Sequence, residues 1–401
     1  MSAAVQLKRL DQLDLSDLET IRLLLRGDSI IDWHQLHLTT EEEARAFLSN
    51  QEFQPDNPAD RQRLEQIQAE SIAYLRRNFD FAIPRPIEEA RIEDLLLLAS
   101  GKGHRQVCAC TVLKAMHIIH HLDARELVYV LPISSQDLFQ MVEEKVYRVI
   151  GEMLQAELPI SELIGGRKHR DSMTTKLLSK RETTAAAIYD KIRFRIVTHT
   201  VNDLLPVLLY LTQHLFAPNY VLPEQSINTI FPLRSFCEAQ PNLKPFLGQL
   251  QGRVDDELTT GDNTFSAQNY RIMHFVVDMP IRLPPEVLAQ APQGAELGPV
   301  VFMLVEFQLV DSETEANNEL GEASHAQYKE RQRLAVARRL KLGTREMRQP
   351  PGVPTPQATA VPAEVAARAA AAGLGGGKAR EGGGSSEPVK GADGAGVKGE
   401  G

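Results

Sequence analysis

GGRKHRDSMTTKLLSKRETTAAAIYDKIRFRIV, residues 165–197, is the stretch around which the rest of the chain is organised. Lys168, Ser172 and Lys176 recur every four residues, so a helix would place two ammonium groups and a hydroxyl on one face. Asp190 then opens a run of β-branched residues that favours a strand. The basic face suits a polyanion such as a nucleotide phosphate chain, but taken alone it also fits a solvated helical surface.

Length and composition are those of a globular protein with room for two or three domains. The 401 residues are 43% hydrophobic and 24% charged, with a formal net charge of -9 at pH 7. This acidic balance argues against stable DNA binding and leaves room for a local basic pocket. The cysteines, Cys108, Cys110 and Cys237, cannot make a disulfide framework or a zinc site, which favours a reducing compartment.

The amino terminus reads MSAAVQLKRLDQLDL and lacks the apolar core of a signal peptide. No uninterrupted apolar run approaches the roughly twenty residues of a membrane span. We therefore expect a cytoplasmic protein that does not associate with membranes.

The region 1–160 is predicted to be all-helical and to carry no catalytic motif of its own. Ser16 with Glu19 indicates a capping box, and Asn57 followed by Pro58 indicates a helix start. The expected elements are helices at 14–25, 40–48, 57–77, 87–100, 105–122 and 134–158, and a short strand at 126–131. We expect this region to brace or regulate the second half of the chain, or to bind a protein partner.

The helix at 105–122 carries His117, His120 and His121, and Asp123 comes directly after it. Histidines three and four positions apart could share a metal ion. No histidine–aspartate doublet or distant carboxylate partner is identifiable, so we favour core or surface histidines over metal ligands.

The second half completes the expected α+β fold. Strands are predicted at 191–198, 269–278 and 299–310, with a helix at 201–216 and loops with short helical pieces at 217–264. A long helix is predicted from 312 to 342, capped at Ser312 with Glu315 three residues on. The segment 344–401 is rich in Pro, Ala and Gly and is predicted to be a disordered tail.

Polar side chains on these strands mark a candidate site. Alternation places Tyr270 and His274 on one face of the second strand. Glu306 lies inside the apolar third strand, where a carboxylate is costly unless it is paired or binds a metal ion. With Asp190 it would supply two carboxylates from different strands, as Mg²⁺ requires when it also holds substrate phosphates. The pattern predicts phosphoryl chemistry.

The order of these motifs resembles the synthetase domain of RelA/SpoT-type alarmone synthetases. The family's Gly-Arg-x-Lys segment, with Ser and Lys at four-residue steps, is matched by Lys168, Ser172 and Lys176, with Arg167 shifted by one position. The following Tyr-Asp motif, with an Arg five residues after the Asp, is matched by Tyr189, Asp190 and Arg195.

Three later motifs occur in the family's order. The tyrosine and histidine of its next strand are matched by Tyr270 and His274, and its Glu-Val-Gln strand by the segment 306–308. Its closing helix is echoed by Glu319, Gly321, Ala323, His325, Tyr328 and Lys329. The resemblance covers residues 165–342.

The resemblance implies a nucleotidyltransferase-like catalytic domain with a mixed β-sheet at 161–343. It implies transfer of pyrophosphate from ATP to the 3′ hydroxyl of GDP or GTP, with Asp190 and Glu306 as Mg²⁺ ligands and Glu306 as proton acceptor. The implied ATP-binding residues are Arg167, Lys168, Ser172, Lys176 and Arg195. The implied acceptor-binding residues are Tyr270, which would stack on the base, His274 and Gln308.

The acceptor half departs from the family more than the donor half does. The Asn-Gly before the family's tyrosine is Gln268 and Asn269 here, and its Gln-Ser is Arg271 and Ile272. The acceptor therefore stays open among guanosine nucleotides, adenosine nucleotides and an RNA end. Two other functions also stay open: a nucleotide sensor without turnover, and a toxin that modifies RNA by pyrophosphate transfer.

Overall fold

The computed structural model describes residues 8, 10–26, 37–179, 191–222, 225–248, 269–290, 294, 296–320 and 324–340. Within them the chain has the expected α+β fold, with one mixed β-sheet and a layer of helices from the N-terminal half. Tyr189, Asp190 and the predicted tail lie outside the described residues. None of the described helices combines the length and the apolar composition that crossing a bilayer requires.

Several helices begin at residues whose side chains satisfy the first backbone N–H groups. Thr40 with Glu43 and Ser134 with Asp137 form capping boxes, and Asn57 caps a helix that has proline in its first turn. The described α-helices are α1 (Leu15–Arg26), α2 (Glu41–Asn50), α3 (Pro58–Phe79), α4 (Arg85–Glu88), α5 (Ile92–Ala99), α6 (His104–Val130), α7 (Ser135–Gln155), α8 (Arg170–Ser179), α9 (Leu204–His214), α10 (Leu233–Ala239), α11 (Pro285–Leu288), α12 (Ser312–Asn318) and α13 (His325–Arg339).

Three predicted elements differ from the structure. The strand predicted at 126–131 is wrong, because α6 continues through these residues and buries Ala124 and Leu127 at helical spacing. The helix predicted at 87–100 is two helices, α4 and α5. The helix predicted at 312–342 is divided into α12 and α13.

The predicted cap of α1 is also wrong. Asp14 and Asp17 each accept a hydrogen bond from the other's backbone N–H, both at 3.0 Å. Glu19, the expected partner of Ser16, accepts a hydrogen bond from Nε of Arg22 at 3.0 Å instead. An aspartate at each end of the first turn thus gives the same reciprocal arrangement two residues earlier.

The described strands form one sheet in the order β1-β2-β5-β4-β3. They are β1 (Ile160–Arg167), β2 (Ile192–Thr198), β3 (Ile227–Asn228), β4 (Met273–Arg282) and β5 (Val300–Asp311). β2 and β5 run parallel, and the other neighbours are antiparallel. β2, β4 and β5 correspond to the predicted strands, whereas the edge strands β1 and β3 have no counterpart among them.

The register of the three central strands gives the sheet two chemically different faces. Phe194, Phe307 and Phe275 are neighbours across β2, β5 and β4, and their ring centroids lie 5.9 and 5.7 Å apart. All three rings are buried in the core that α7 and α9 share with the sheet. Since side chains alternate along a strand, the residues between these phenylalanines lie on the opposite face, where the candidate site is found.

The apolar core has two parts. One surrounds the sheet and includes Leu18 of α1 and Val146 of α7. The other is built from α2 to α6, with Ile67 and Leu95 among its buried side chains. Although α1 and α7 belong to the predicted helical region, they therefore pack with the sheet.

Buried ion pairs connect the helical layer to the sheet. Lys145 of α7 donates to Glu52 at 2.6 Å and to the carbonyl of Pro280 at 2.9 Å. Arg282, at the end of β4, binds both carboxylate oxygens of Asp60 in α3, at 2.7 and 3.0 Å. Removing one partner of such a pair leaves an uncompensated buried charge, so these contacts fix the layer strongly.

Candidate functional site

The site lies on the face of the sheet opposite the three phenylalanines, where three strands align polar side chains. Parallel pairing sets Arg193 beside Glu306 and Arg195 beside Gln308. Antiparallel pairing sets His274 beside Gln308 from the other side. Directly paired residues share a face, so these five side chains form a patch on one surface of the sheet. Three of them, Glu306, Gln308 and Arg195, are the predicted site residues from β5 and β2.

Hydrogen bonds link three of these side chains, Glu306, Gln308 and Arg195. Nε2 of Gln308 donates to Oε1 of Glu306 at 2.6 Å, and its amide oxygen accepts from Nε of Arg195 at 2.9 Å. Nε2 of His274 lies 3.4 Å from the same oxygen of Glu306. Glu306 is only 6% exposed, so these contacts offset the cost of its burial. The predicted need for a partner at Glu306 is thus met by an amide and an imidazole.

Arg195 is held on three sides. Besides Gln308, it donates from Nη1 to Glu315 at 2.7 Å and from Nη2 to the hydroxyl of Tyr270 at 3.1 Å. Burial opposes its charge, but Tyr270 and Glu315 outweigh that effect and raise the pKa of Arg195. Burial raises the pKa of Tyr270 as well. Arg195 therefore stays charged, and Tyr270 stays a neutral phenol.

Tyr270 reaches the site from outside the strand. β4 begins at Met273, so the prediction that Tyr270 lies on a strand with His274 is wrong, although both contact the same network. The segment is fixed by Asn318 of α12, which accepts from the backbone N–H of Arg271 at 3.0 Å and donates to its carbonyl at 2.7 Å. The side-chain amide of Asn318 thus makes the two backbone hydrogen bonds that a neighbouring strand would otherwise make.

The capping residue of α12 lies one position earlier than predicted. Asp311, not Ser312, caps it and accepts from the backbone N–H groups of Glu313 and Thr314, both at 3.1 Å. Glu315, the expected capping partner, is consequently available to bind Arg195. The cap therefore helps to place a carboxylate in the site.

α8 and α13 form a parallel pair beside this network. Nζ of Lys329, in the first turns of α13, donates to Oγ of Ser172, in the first turn of α8, at 3.1 Å. At the other end, Arg339 donates to the carbonyl of Leu178 at 2.7 Å. Both helix N-termini therefore lie at the same end, and each carries a partial positive charge. Lys168 precedes α8, so it does not share the helical face of Ser172 and Lys176 as predicted.

The charges around His325 reveal a cationic cluster. Burial is the largest cause that lowers the pKa of His325. The pKa falls to about 4 because the ring also lies near the positive charges of Lys329, Arg193, Arg195 and Lys168. Four cations from β2, α13 and the segment before α8 thus act on one imidazole. Cations gathered beside two helix N-termini suit a multiply charged anion.

Arg167 lies on the other face of the sheet. It pairs with Ile192, a core residue, and it binds both carboxylate oxygens of Glu143 at 2.8 and 2.6 Å. Its guanidinium lies 5.6 Å from the ring centre of Phe139. The sheet therefore separates Arg167 from the other predicted phosphate-binding residues, because a shift of one position along a strand changes the face.

The second predicted metal ligand, Asp190, lies outside the described residues. In the part of the chain that is described, no three histidine, cysteine, aspartate or glutamate side chains are grouped as a metal site. Among the carboxylates of the described site, Glu306 suits the role of a metal ligand best, because it is buried beside the cationic cluster.

The histidines of α6 lie elsewhere, at the junction of the helical layer and the sheet. His121 lies 3.2 Å from Asp278 and stacks on Phe302 with ring centroids 3.9 Å apart. Burial lowers the pKa of His120 to about 3. His117, His120 and mainly apolar side chains line a cavity of about 40 Å³. These histidines pack against rings and do not converge on a metal ion within the described residues.

Two contributors escaped the sequence analysis. Arg193 lies two positions before Arg195, so the alternation of the predicted strand already placed both on one face. Glu315 was assigned to a cap and only the structure shows it on Arg195. The first could have been found by extending the alternation argument, and the second depended on tertiary packing.

Comparison with solved structures finds chains that are similar over about half of this one. The small alarmone synthetase 2 from Bacillus subtilis is 17% identical, with 54% of this chain and 94% of that chain covered and a TM-score of 0.25. The small alarmone synthetase 1 from the same species, bound to its product pppGpp, is 16% identical, with 51% and 88% covered and a TM-score of 0.26.

A GTP pyrophosphokinase family protein from Streptococcus pneumoniae is 14% identical, with 52% of this chain and 90% of that chain covered and a TM-score of 0.26. By sequence, no family model and no curated protein matches the chain.

Proposed function

We propose that this chain is an ATP-dependent pyrophosphokinase that transfers pyrophosphate to the 3′ hydroxyl of a guanosine nucleotide. The acceptor oxygen attacks the β-phosphorus of ATP, the bond between the α,β-bridging oxygen and that phosphorus breaks, and AMP leaves. The hydroxyl proton passes to a base on the protein. Such chemistry requires phosphate positioning, neutralisation of developing charge and a proton acceptor.

The observation that carries the proposal is the convergence of cations beside one buried carboxylate. Lys168, Arg193, Arg195 and Lys329 act on the same imidazole, and two of them lie next to Glu306 on the sheet face. The N-termini of α8 and α13 add positive ends of helix dipoles. A triphosphate bound between these helix N-termini and Glu306 would meet both the positive charges and the proposed base.

Each site residue has a role in this reaction. Lys168, Lys176 and Arg195 supply charge for the phosphates, and Ser172 supplies a hydroxyl near Lys329. Glu306 accepts the proton of the attacking hydroxyl. Tyr270 stacks on the acceptor base, with His274 and Gln308 lining the same end of the site. We favour a guanosine nucleotide as the acceptor because the motifs follow the order of enzymes that use GDP or GTP.

Glu306 would hold a magnesium ion in this site, and Asp190, which lies outside the described residues, is the second ligand that the motif order implies. Glu306 has one carboxylate oxygen bound to Gln308, which leaves its other oxygen for a cation. Mg²⁺ in phosphoryl-transfer sites needs only one or two carboxylates because substrate phosphates and water complete its shell. When bound, it would neutralise charge on the bridging phosphates.

The test is to incubate the protein with magnesium and ATP labelled in its β-phosphate, together with GDP, GTP, adenosine nucleotides or an RNA oligonucleotide. Release of AMP with transfer of the label to GDP or GTP is the expected result. Folded protein that transfers no label to any of these acceptors contradicts the proposal. Label on RNA alone would replace the guanosine acceptor with an RNA end.

A second candidate, a nucleotide sensor without turnover, is favoured by one observation. Arg195 and Glu306 both bind partners within the protein, so a substrate would have to compete with Gln308 and Glu315 for them. Calorimetry separates the candidates: binding of ATP with no AMP release at any acceptor supports the sensor, whereas turnover excludes it.

A further inference from the structure

Arg193 lies on the sheet face that carries the site, between β1 and Glu306 of β5. Its neighbour across β1 is Gly166, and a Cβ at that glycine would meet no atom of the described residues within 4 Å, so no described side chain fills the space beside Arg193. Its neighbour across β5 is Glu306, yet that carboxylate binds Gln308 and lies near His274. The guanidinium therefore stands between this space and the proposed base.

The two arginines of β2 differ in how they are engaged. Arg195 uses Nε, Nη1 and Nη2 to bind Gln308, Glu315 and Tyr270. Within the described residues, no hydrogen bond or ion pair holds Arg193. Arg195 is thus occupied by the protein, whereas the donors of Arg193 are available to a ligand.

The charge of Arg193 acts on both ends of the site. It opposes the burial that raises the pKa of Tyr270, and it contributes to the low pKa of His325. Tyr270 belongs to the proposed acceptor end and His325 to the proposed phosphate end. Arg193 is therefore close enough to both ends of the site for its charge to act on each.

We propose that Arg193 binds the phosphate chain of the donor nucleotide directly, and that Arg195 is a positioning residue that holds Tyr270 and Gln308 in place. This division rests on the proposed function, because it requires a polyphosphate ligand. It assigns substrate contact to the arginine whose donors are not already used. A guanidinium suits this role because it can bind two phosphate oxygens at once.

The experiment measures binding of α,β-methylene-ATP, which cannot transfer its terminal phosphates, and of adenosine, to the full-length chain by calorimetry. Arg193→Ala should weaken binding of α,β-methylene-ATP by about 10-fold or more and leave adenosine binding unchanged. Arg193→Lys should recover part of the loss because it keeps the charge. Arg76→Ala, which removes an exposed arginine of α3, is the control and should bind both ligands as the wild type does.

Arg195→Lys tests the second half of the proposal. Lysine carries its donors on a single nitrogen and lacks the planar guanidinium fork, so it cannot bind Gln308, Glu315 and Tyr270 at once as Arg195 does. The KM for GDP should therefore rise several-fold while the affinity for α,β-methylene-ATP changes less than in Arg193→Ala. Equal loss of ATP-analogue affinity in both variants would overturn the division of roles.

Other outcomes are also decisive. If Arg193→Ala binds the analogue as tightly as the wild type, or loses adenosine equally, Arg193 does not contact phosphate. In that case the proposed function stands as long as the wild type binds the analogue. A wild type that binds neither ligand overturns the proposed function and the role of Arg193 with it.

Discussion

Gln308 donates to Glu306 from the same strand at 2.6 Å and so orients the carboxylate proposed as the base. The oxygen of the same amide accepts from Arg195. An amide thus stands between an acid and a guanidinium that would otherwise neutralise each other. Each charged group therefore keeps a fixed orientation, and Glu306 retains its second carboxylate oxygen for a ligand.

We expect Glu306→Gln to lower the rate of AMP release by about 100-fold or more, because the variant cannot accept the proton of the attacking hydroxyl. The measurement is the initial rate with GDP under saturating ATP. Glu313→Gln, at an exposed position of α12, is the matched control and should keep the wild-type rate. A Glu306→Gln protein with wild-type turnover would exclude Glu306 as the base.

Gln308→Leu should destabilise the protein by about 1–3 kcal/mol, because it leaves the buried Glu306 and one donor of Arg195 without their partner. Urea unfolding followed by circular dichroism measures this change. Gln140→Leu removes an exposed glutamine of α7 and should change the free energy of unfolding by less than about 0.5 kcal/mol. Equal stability of the two variants would mean that the amide network contributes nothing measurable.

His325 should report phosphate binding through its ring resonances. Since its pKa is lowered to about 4, the ring is neutral at pH 7 in the free protein. A bound polyphosphate opposes the surrounding cations and favours the protonated ring, so the pKa should rise. An NMR titration with and without α,β-methylene-ATP tests this, with adenosine as the control. Unchanged titration at a nucleotide concentration that saturates the protein would place the phosphates elsewhere.

Stability should also depend on pH through His325. Its folded pKa lies below the ordinary value of 6.5, so between these values the unfolded chain binds more protons than the folded one. The contribution of this residue therefore falls as pH drops from about 6.5 to about 4. His325→Gln should lose less stability than the wild type across this window in urea unfolding. A steeper loss of stability in the variant would show that His325 stabilises the folded protein more, not less, as the pH falls.

Lys145→Met should destabilise the protein by about 3–5 kcal/mol, because it leaves Glu52 and the carbonyl of Pro280 without their donor. Thermal and urea unfolding measure the effect. Arg148→Ala on the same helix breaks an exposed pair with Glu152 and should cost about 1 kcal/mol or less. If both variants unfold alike, the helical layer does not depend on this buried contact.

The sequence was sufficient for elements whose signals are local. Asn57 and Pro58 mark the start of α3, and the alternation around Phe307 marks β5. It failed where tertiary packing overrode local preference. The Val-Tyr-Val run at 128–130 favours a strand in isolation, but Leu127 is buried at the end of a long helix, so the helix continues.

The site was predictable as a set of residues and less so as an arrangement. Of the predicted residues, Arg195, Glu306 and Gln308 lie together on one face of the sheet. Motif order could not show that Arg167 lies on the other face, since that depends on the register of β1 against β2. Nor could it show that Lys329 reaches Ser172 across 157 positions of sequence.

The two hydrogen bonds from Asn318 to the backbone of Arg271 couple α12 to the segment that bears Tyr270. Any tilt of this short helix would carry the phenol ring and the carboxylate of Glu315 along together. Because Arg195 binds both of these groups, the same movement would release its guanidinium from two partners at once.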